Sequence, residues 1–458
     1  MRLMREFNHY PSINRIFSLL HEEENAVFLD SSLRNQLGRY SIIGLSPYLK
    51  LVKGEKFTVN GQVCTEPFET WVKNYLKKHK EENNTGLPIA SGAIGYFSYD
   101  YGRKKEGLTS RHLEKLDIPD CILVFYDNFI IEDHQRKKLY MIANSYGQEA
   151  AAGISLMMTL LEMAEKETFP QSEKTVKAPE ITADFTREDY MDAVQRMIHY
   201  IVEGDIYIAN MTQRLQITSS MPPFELFEQL RKNNPSPFGG YFNYGDFQVV
   251  SASPERFLKM TDGLIQTRPI KGTRKRGSTQ EEDNALKQEL EQSGKDKSEL
   301  LMIVDLERND LNRVCIPGSV VVDELFSVET YATVFHLIAN VTGILRPELT
   351  VMDLIEAAFP GGSITGAPKL RAMELIDELE HSRRNLYTGS MGYLSLDGNC
   401  DFNIVIRTAL YKEGVYHLGV GGGITFESDL AFEYEETLQK AKALLEALGG
   451  SIDADYIG

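Results

Sequence analysis

Apolar residues in the first third of the chain occur in short runs separated by turns and polar segments. These runs predict strands at 40–44, 92–97 and 122–126, because each is rich in aliphatic or aromatic residues and is bounded by turn-forming or polar residues. A longer apolar stretch at 157–165 predicts a helix. The first third is therefore expected to mix strands with helices.

The apolar pattern is interrupted between residues 168 and 184, where Pro170 and Pro179 stand among charged residues without helical or strand periodicity. This composition is typical of a linker or a surface excursion between two parts of a chain. The predicted organisation is an N-terminal region at 1–165, a linker at 166–185 and a second, larger region at 186–458.

A new amphipathic pattern begins at Thr186, which is followed three residues later by Asp189 in an approximate capping box. Apolar residues then recur at helical spacing, at Met191, Val194, Ile198 and Ile201. Gly204 ends this helix, and residues 206–209 predict a strand. Strands and helices then alternate at uneven spacing without regular βαβ units, which favours an α+β fold with antiparallel sheets.

The chain carries a formal charge of −17, from 49 Lys and Arg against 66 Asp and Glu in 458 residues. So acidic a surface repels nucleic acid and anionic membranes, and neither is expected as a partner. The four cysteines form no C-x-x-C pair, the N-terminus lacks a signal-type apolar core, and no apolar run is long enough to span a bilayer. The expected location is the cytoplasm.

One basic segment stands out against this acidic background, because five of the nine residues from 268 to 276 are Lys or Arg. It could be a solvated hairpin. It could also be a strand end that faces an anion, where Gly272 lets the backbone approach a ligand closely. In that case the neighbouring cations favour the neutral amine of Lys271, which can act as a nucleophile.

Two predicted helices, at 295–308 and 431–448, each carry a pair of carboxylates three residues apart on one face. The pairs are Asp296 with Glu299 and Glu433 with Glu436, and Lys440 follows one turn after the second pair. Each pair alone fits a solvated acidic face. If the helices converge, their oxygens suit Mg²⁺, but the spacing does not show that they converge.

Two glycine-rich segments could bring backbone N–H groups to an anion. The first, at 359–368, runs into a predicted helix at 369–379, whose N-terminus favours a carboxylate or phosphate. It does not match the G-x-x-x-x-G-K-[ST] phosphate loop. The second, at 419–423, could contact an anion or form a tight strand corner.

Three charged or titratable residues stand alone in apolar or turn surroundings, namely Glu255, His336 and Arg407. Isolated residues of this kind are more often members of structural ion pairs or satisfied core groups. The sequence contains no nucleophile elbow and no histidine cluster of the metal-binding type.

Taken together, these segments resemble the chorismate-utilising enzymes, in particular the component I chains of aminodeoxychorismate synthase and anthranilate synthase. The resemblance covers most of the chain from residue 186 onward, and the segments occur in the family's order. The matching segments are 253–255, 267–277, 299–313, 359–379, 392–408 and 433–442. The N-terminal part matches more loosely, through 39–44 and 95–96.

The resemblance implies an anthranilate synthase component I-like fold, in which two stacked antiparallel β-sheets are flanked by helices and enclose the site. It implies a Mg²⁺ cofactor that binds the ring carboxylate of chorismate, with Glu299, Glu436 and Glu433 as metal ligands and Asp296 as a further helper. The residues that the resemblance places around chorismate are Gly272, Thr273, His336, Thr365, Tyr393, Arg407, Gly421, Gly422, Gly423 and Lys440.

Position 271 distinguishes members of this family, since anthranilate synthases usually carry Ala there and many aminodeoxychorismate synthases carry Lys. The resemblance implies that Lys271 attacks ring C2 while Glu255 protonates the departing C4 hydroxyl. Ammonia then adds at C4 and expels Lys271, which gives 4-amino-4-deoxychorismate for 4-aminobenzoate and folate biosynthesis. Ile208 stands where isochorismate synthases carry a water-activating Lys, which counts against that chemistry.

The ammonia is expected from a separate glutamine amidotransferase subunit, because none of the four cysteines lies in a Gly-x-Cys-x-Gly turn. The nearest alternative activity is that of anthranilate synthase component I. A remote alternative is a non-catalytic regulatory subunit that binds chorismate or an amino acid.

Overall fold

The computed structural model describes residues 2–166, 178–330 and 334–450 of the chain. The helices are α1 (Ile13–Phe17), α2 (Phe68–Lys78), α3 (Tyr99–Lys105), α4 (Ala150–Lys166), α5 (Arg187–Val202), α6 (Pro223–Asn233), α7 (Gln280–Gln292), α8 (Gly294–Asn312), α9 (Val351–Ala358), α10 (Lys369–Leu379) and α11 (Leu430–Ala447), with a 3₁₀ turn at Gly362–Ile364. Within these described ranges, no helix has the length and apolar character that crossing a membrane requires.

The strands of the N-terminal half are β1 (Leu3–Phe7), β2 (Val27–Asp30), β3 (Tyr40–Lys53), β4 (Phe57–Val59), β5 (Gln62–Val63), β6 (Gly92–Phe97), β7 (Cys121–Asp133), β8 (Lys138–Ala143), β9 (Glu180–Ala183) and β10 (Ile208–Thr218). Those that follow are β11 (Phe238–Asn243), β12 (Gln248–Ser253), β13 (Arg256–Thr261), β14 (Leu264–Thr267), β15 (Ile270–Lys275), β16 (Val321–Thr330), β17 (Val334–Ile344), β18 (Gly366–Ala367), β19 (Ser390–Ser395), β20 (Cys400–Asn403), β21 (Thr408–Lys412) and β22 (Val415–Ile424).

The described strands pair in antiparallel fashion and form two sheets that share the long strands β3 and β7. The first sheet runs in the order β9, β10, β22, β21, β12, β11, β2, β3, β7, β8 and β1. The second runs in the order β5, β4, β3, β7, β6, β19, β20, β13, β14, β17 and β16. β15 continues the β14 side of β17. Strands that pass from one sheet to the other form the corner of a sandwich.

Three apolar layers hold the sheets and helices together. The layer between the sheets contains Ile94 of the second sheet and Val249 of the first. On the outer face of the first sheet, Leu418 belongs to the same apolar cluster as Leu438 of α11. On the outer face of the second, Leu123 lies in a cluster with α2, α8 and α9. Side chains alternate between the two faces of each strand, so both sheets can bury both faces.

The predicted α+β fold with stacked antiparallel sheets and flanking helices is confirmed. The strands predicted in the first third lie in β3, β6 and β7, and the helix predicted at 157–165 is the second half of α4. Thr186 caps α5, because its hydroxyl accepts a hydrogen bond from the Asp189 N–H at 3.1 Å. The helices predicted at 295–308, 369–379 and 431–448 correspond to α8, α10 and α11.

The sequence boundary between the two predicted regions does not separate two independently packed units. β2 pairs with β11 and β6 pairs with β19, so both regions contribute to both sheets. Most of the predicted linker, residues 167–177, lies outside the described residues. Its last part contains β9, which pairs with β10 at the edge of the first sheet.

Candidate active site

Glycines near the end of β22 lie directly beneath two carboxylates of α11. Gly422 and Gly423 pair with β10, so their backbone is part of the first sheet. A Cβ atom placed at Gly422 would lie 2.5 Å from Glu436 Oε2 and 3.1 Å from Glu433 Oε2. A side chain at this position would therefore displace the Glu436 carboxylate from where it lies over the sheet.

Lys271 and Glu299 approach the same glycines from β15 and α8. A Cβ atom placed at Gly423 would lie 3.3 Å from Lys271 Nζ and 3.9 Å from Glu299 Oε2. Ser293 caps the N-terminus of α8, because its hydroxyl accepts a hydrogen bond from the Asp296 N–H at 3.2 Å. The fold thus brings together one amine and three carboxylates from three separate elements.

Lys440 and Arg407 add two cations at this position. Lys440 Nζ donates a hydrogen bond to Gly421 O at 2.8 Å and lies 3.2 Å from Glu436 Oε2. Burial lowers the pKa of Lys440, and the negative charge of Glu436 partly restores it. Arg407, at φ +52°, donates from Nη1 to Lys440 O at 2.8 Å, and burial lowers its pKa. Half-buried cations of this kind favour an anionic ligand.

Glu255 supplies a buried carboxyl group near these lysines. It follows β12, is only 8% exposed and accepts a hydrogen bond from the Ser363 hydroxyl at 2.8 Å. Burial raises the pKa of Glu255, and the hydrogen bond from Ser363 opposes that rise. The positive charges of Lys271 and Lys440 also oppose the rise in this pKa. A carboxyl group whose protonated form is favoured by burial can act as a general acid.

Glu299 and Glu433 are the carboxylates whose chemistry fits a divalent cation. Burial raises the pKa of each, and the negative charge of Glu436 adds to both rises. A hard cation would stabilise the charged forms of such mutually repelling oxygens. Among the residues that the structure describes, no three His, Cys, Asp or Glu side chains are grouped so that they could hold a metal ion. The Mg²⁺ site therefore stays a prediction.

Strand pairing between β15 and β17 places Thr273 beside His336, with the hydroxyl oxygen 2.9 Å from Nδ1. Burial lowers the pKa of His336 to about 4, so its ring is neutral near pH 7. Gly272 has φ +76°, and a Cβ atom there would lie 2.8 Å from Asp296 Cγ. Asp296 accepts a hydrogen bond from Arg274 Nη2 at 3.2 Å, so this carboxylate is already paired.

Thr365 joins the 3₁₀ turn to strand β10 through two hydrogen bonds. Its buried hydroxyl donates to Gly361 O at 2.9 Å, and its carbonyl oxygen accepts from Asn210 N at 2.7 Å. Asn210 is the β10 partner of Gly423. Thr365 therefore holds the 3₁₀ turn against the strand that lies beside the site.

Tyr393 is the predicted substrate contact that lies apart from the others in the structure. Tyr393 lies on β19, and its ring belongs to the apolar layer between the sheets. Tyr387, just before β19, instead packs against Gly419 of β22, where a Cβ atom would lie 2.2 Å from its ring. Tyr387 is also close enough to Arg407 to influence its pKa. Gly419 could have indicated this contact from the sequence, since a glycine inside a strand often marks the close approach of another group to the backbone.

Comparisons with known proteins agree with this geometry. Residues 24–446 match the family model described as chorismate binding enzyme. The chain is 37% identical over 443 residues to aminodeoxychorismate synthase component 1 of Bacillus subtilis, covering 94% of this chain and 93% of that protein. It is 38% identical over 453 residues to anthranilate synthase component 1 of Pseudomonas aeruginosa, covering 94% and 92%.

A solved structure gives the same result for the fold. Anthranilate synthase component I from Streptococcus pneumoniae is similar with a TM-score of 0.81 and 30% sequence identity, covering 90% of this chain and 93% of that chain. The family match also includes every position of the site, from Glu255 to Lys440. The chain therefore belongs to the chorismate binding enzyme family, as a chorismate-using enzyme of the aminodeoxychorismate and anthranilate synthase type.

Proposed function

We propose that the chain is component I of aminodeoxychorismate synthase, which converts chorismate and ammonia into 4-amino-4-deoxychorismate. The observation that carries the proposal is the position of Lys271, whose Nζ lies 3.3 Å from the Cβ position of Gly423, beside Glu299. Overall similarity favours neither product, because the identities to the two kinds of relative are 37% and 38%.

The proposed reaction needs an amine and a protonated acid in one site. In its deprotonated form the Lys271 amine forms a bond to ring C2, the two conjugated ring double bonds shift, and the C4–O bond breaks. Glu255 donates its proton to the departing hydroxyl, which leaves as water. The proton released from the Lys271 nitrogen restores Glu255. Ammonia then bonds to C4, the double bonds shift back and the C2–N bond breaks. Glu255 donates its proton to the departing Lys271 nitrogen, and the proton that the bound ammonia loses restores Glu255, so the Lys271 amine is regenerated.

Chorismate is a dianion, and two cations of the site are suited to its carboxylates. The planar guanidinium of Arg407 would bind the enolpyruvyl carboxylate through two parallel hydrogen bonds. Tyr387 would lie on the same side, in place of the Tyr393 that the sequence suggested. Lys440, held by Gly421 O at 2.8 Å, would lie near the ring. His336 would contribute a neutral ring.

A divalent cation belongs to the same proposal. Glu299, Glu433 and Glu436 are the residues that would hold Mg²⁺. When bound, Mg²⁺ would neutralise the ring carboxylate of chorismate and polarise the ring. Asp296 is a weaker candidate, because its carboxylate already accepts a hydrogen bond from Arg274 at 3.2 Å.

The ammonia would come from a separate glutamine amidotransferase subunit that binds this chain as a heterodimer. Two of the compared relatives are named component 1, which implies a further component. The absence of a Gly-x-Cys-x-Gly turn in this sequence supports the same division of labour. Ammonium salts should replace that subunit in vitro.

Mass spectrometry of the reaction products tests the proposal. Purified chain, chorismate, Mg²⁺ and ammonium salt should give 4-amino-4-deoxychorismate, in which the enolpyruvyl group is retained. Fluorescent anthranilate would overturn the proposal in favour of a second candidate, anthranilate synthase component I, which the 30% identity to the Streptococcus pneumoniae structure supports. Binding of chorismate without turnover would indicate a non-catalytic subunit.

A further inference from the structure

Five large apolar side chains are exposed at the end of the first sheet that carries the candidate active site. They are Val202, Tyr207, Leu370, Phe426 and Phe432, with exposed fractions of 68%, 64%, 48%, 66% and 61%. Single exposed apolar residues are normal on a protein surface, whereas a group that includes three aromatic rings indicates a binding surface. The reaction proposed above uses none of the five. They are called the apolar rim below.

Strand pairing brings the aromatic members of the apolar rim to the same end of the sheet. Ala209 of β10 pairs with Ile424, the last residue of β22. Tyr207 stands two residues before Ala209, and Phe426 stands two residues after Ile424. Because the two strands are antiparallel, both aromatic residues extend past the same end of the pair. Phe432 lies in the first turn of α11, which begins shortly after Phe426.

Leu370 and Val202 join this end of the sheet from two other helices. The Tyr207 N–H donates to Ala367 O at 2.7 Å, three residues before Leu370 in the first turn of α10. Val202 ends α5 and stands five positions before Tyr207. Gly204, at φ +86°, lies in the turn between them. The apolar rim is therefore assembled from segments that are far apart in the sequence.

The apolar rim lies beside the reacting groups. Gly423, next to which Lys271 Nζ and Glu299 Oε2 lie, stands three residues before Phe426. The Cα atoms of Gly423 and Phe426 are therefore no more than about 11 Å apart. The Glu436 side chain is 35% exposed, so the site is open to solvent. A protein that covered the apolar rim would lie next to this opening.

Acidic residues border the apolar rim. The exposed acids of these segments are Glu203, Glu427 and Asp429. The nearby cation Arg371 is bonded to Asp205 Oδ1 at 3.4 Å and to Glu374 Oε2 at 2.9 Å, so its charge is already balanced. An apolar centre with a polar border is the usual anatomy of a protein–protein interface. A partner that fits this surface would place Lys or Arg residues opposite the acids.

The acidic border distinguishes between the possible occupants. In a symmetric pair of this chain the same surface would face itself, so that acids would oppose acids. An anionic membrane would be repelled for the same reason. A different protein with a basic border meets no such opposition. The proposed reaction consumes ammonia, and none of the four cysteines lies in a Gly-x-Cys-x-Gly turn, so a protein that releases ammonia is the partner that this position suits.

We propose that the apolar rim is the docking surface of the glutamine amidotransferase subunit, with Phe426 and Phe432 as its main contacts. Bound there, the subunit would cover the opening of the site and release ammonia beside Lys271 and Glu299. Ammonia in solution is mostly protonated near neutral pH, and the ammonium ion cannot bond to carbon. The identity of the partner rests on the proposed function, which requires an ammonia donor.

Turnover with two sources of ammonia tests the docking surface. Chorismate consumption is measured with ammonium salt alone, and with glutamine plus the purified amidotransferase subunit of the same organism that supports turnover by the wild-type chain. In the double variant Phe426→Ser with Phe432→Ser, turnover with ammonium salt should stay within about twofold of the wild type, because surface changes have small effects on the fold. The subunit concentration for half-maximal turnover with glutamine should rise by about tenfold or more, because buried aromatic contacts carry most of the binding energy.

Val63→Ser is the matched control for the double variant. Val63 is 61% exposed, as Phe432 is, and lies on β5 at the far edge of the second sheet. It should change neither kind of turnover. Equal losses in Val63→Ser and the double variant would overturn the proposal, as would equal losses with both sources of ammonia. The proposal would also fail if no amidotransferase subunit of the organism gave the wild-type chain turnover with glutamine.

Glu427→Lys tests the acidic border. It should slow association with the amidotransferase subunit at low salt, and the difference from the wild type should shrink as NaCl is added, since salt screens the attraction. Surface plasmon resonance measures both rates, and faster association of Glu427→Lys would overturn the proposal. Sedimentation of the chain alone tests the remaining occupant. A wild-type dimer that the double variant fails to form would assign the apolar rim to a second copy of this chain.

The product of the reaction is determined independently of the docking surface. Anthranilate as the product would overturn the proposed function, while a loss confined to turnover with glutamine would still support the docking surface. If the double variant kept the wild-type dependence on the subunit and 4-amino-4-deoxychorismate were the product, the docking proposal alone would fail. The two failures are therefore distinguishable.

Discussion

Substitutions at Lys271 can show whether its side chain acts as a nucleophile or only as a positive charge. Lys271→Ala removes both properties. Lys271→Arg keeps the charge, but its guanidinium stays protonated and cannot attack carbon. If the reaction passes through a covalent bond to Lys271, both variants should lose aminodeoxychorismate formation. If only the charge matters, Lys271→Arg should retain most of it.

The size of the charge effect follows from the geometry around Gly423. Lys271 Nζ lies 3.3 Å and Glu299 Oε2 lies 3.9 Å from the same Cβ position, so the two atoms are no more than about 7 Å apart. At an effective dielectric constant of about 20, their attraction is about 2 kcal/mol. Loss of this charge in Lys271→Ala should raise the pKa of Glu299 by between about one and two units. Lys271→Arg should not raise it.

Loss of a nucleophile is a larger effect than this electrostatic change. We expect both variants to fall by about 10³-fold or more in kcat, since removal of a nucleophile elsewhere costs up to about 10⁶-fold. A 10³-fold loss corresponds to about 4 kcal/mol. Chorismate consumption with saturating ammonia, together with mass spectrometry of the product, measures it. Lys295→Ala is the matched control, because Lys295 also acts on Glu299 and should cost only the charge effect.

Retention of more than a tenth of wild-type turnover by Lys271→Arg would refute covalent catalysis by this lysine. Near-equal losses in Lys271→Ala and Lys295→Ala would refute it as well, because both results would then reflect the field around Glu299. A switch of Lys271→Ala to anthranilate, without loss of chorismate consumption, would mean that Lys271 selects the product and is not needed for turnover.

Four further substitutions test other parts of the site. Tyr387→Phe should raise KM for chorismate by about fivefold, the value of one hydrogen bond, whereas Tyr393→Phe should leave KM unchanged in the same steady-state assay. Ser363→Ala removes a hydrogen bond that lowers the pKa of Glu255, so this pKa should rise. Activity should then persist to higher pH, which a pH–rate profile will show. Glu299→Gln should raise the Mg²⁺ concentration for half-maximal activity by about tenfold or more in a metal titration.

The helices that carry the site could be predicted because their signals are local. Apolar spacing and a cap at Thr186 define α5, and α10 has the bounds that its apolar pattern gives. Glu433 and Glu436 lie on one face of α11 because residues three apart are neighbours on any helix. Such features depend on a few consecutive residues, so a single sequence contains them.

The convergence of these helices could not be derived from spacing. Glu299 lies near Gly423 and Glu433 lies near Gly422 because α8 and α11, which are far apart in the sequence, both approach the same end of β22. No short-range pattern encodes such a convergence, and the family resemblance supplied the expectation instead.

Tyr393 shows, for a single residue, the same limit on what the sequence can predict. Tyr387 and Tyr393 stand six positions apart; Tyr393 is buried and Tyr387 is half-buried. Successive side chains of a strand face opposite sides, so the pairing register decides which cavity a strand residue reaches. Tyr393 lies within β19 and follows that register into the layer between the sheets. Tyr387 lies before the strand, so the pairing register of β19 does not decide which way its side chain faces.

The cations of the site differ from structural cations in the group that accepts their hydrogen bonds. Arg384 is buried and bonded to the Glu380 carboxylate at 2.6 Å, so its charge is neutralised within the fold. Arg407 is half-buried, but it donates to the carbonyl oxygen of Lys440, and no carboxylate pairs with it among the described residues. A carbonyl fixes the direction of a guanidinium without cancelling its charge. An acidic chain can thus keep positive charge for an anionic substrate.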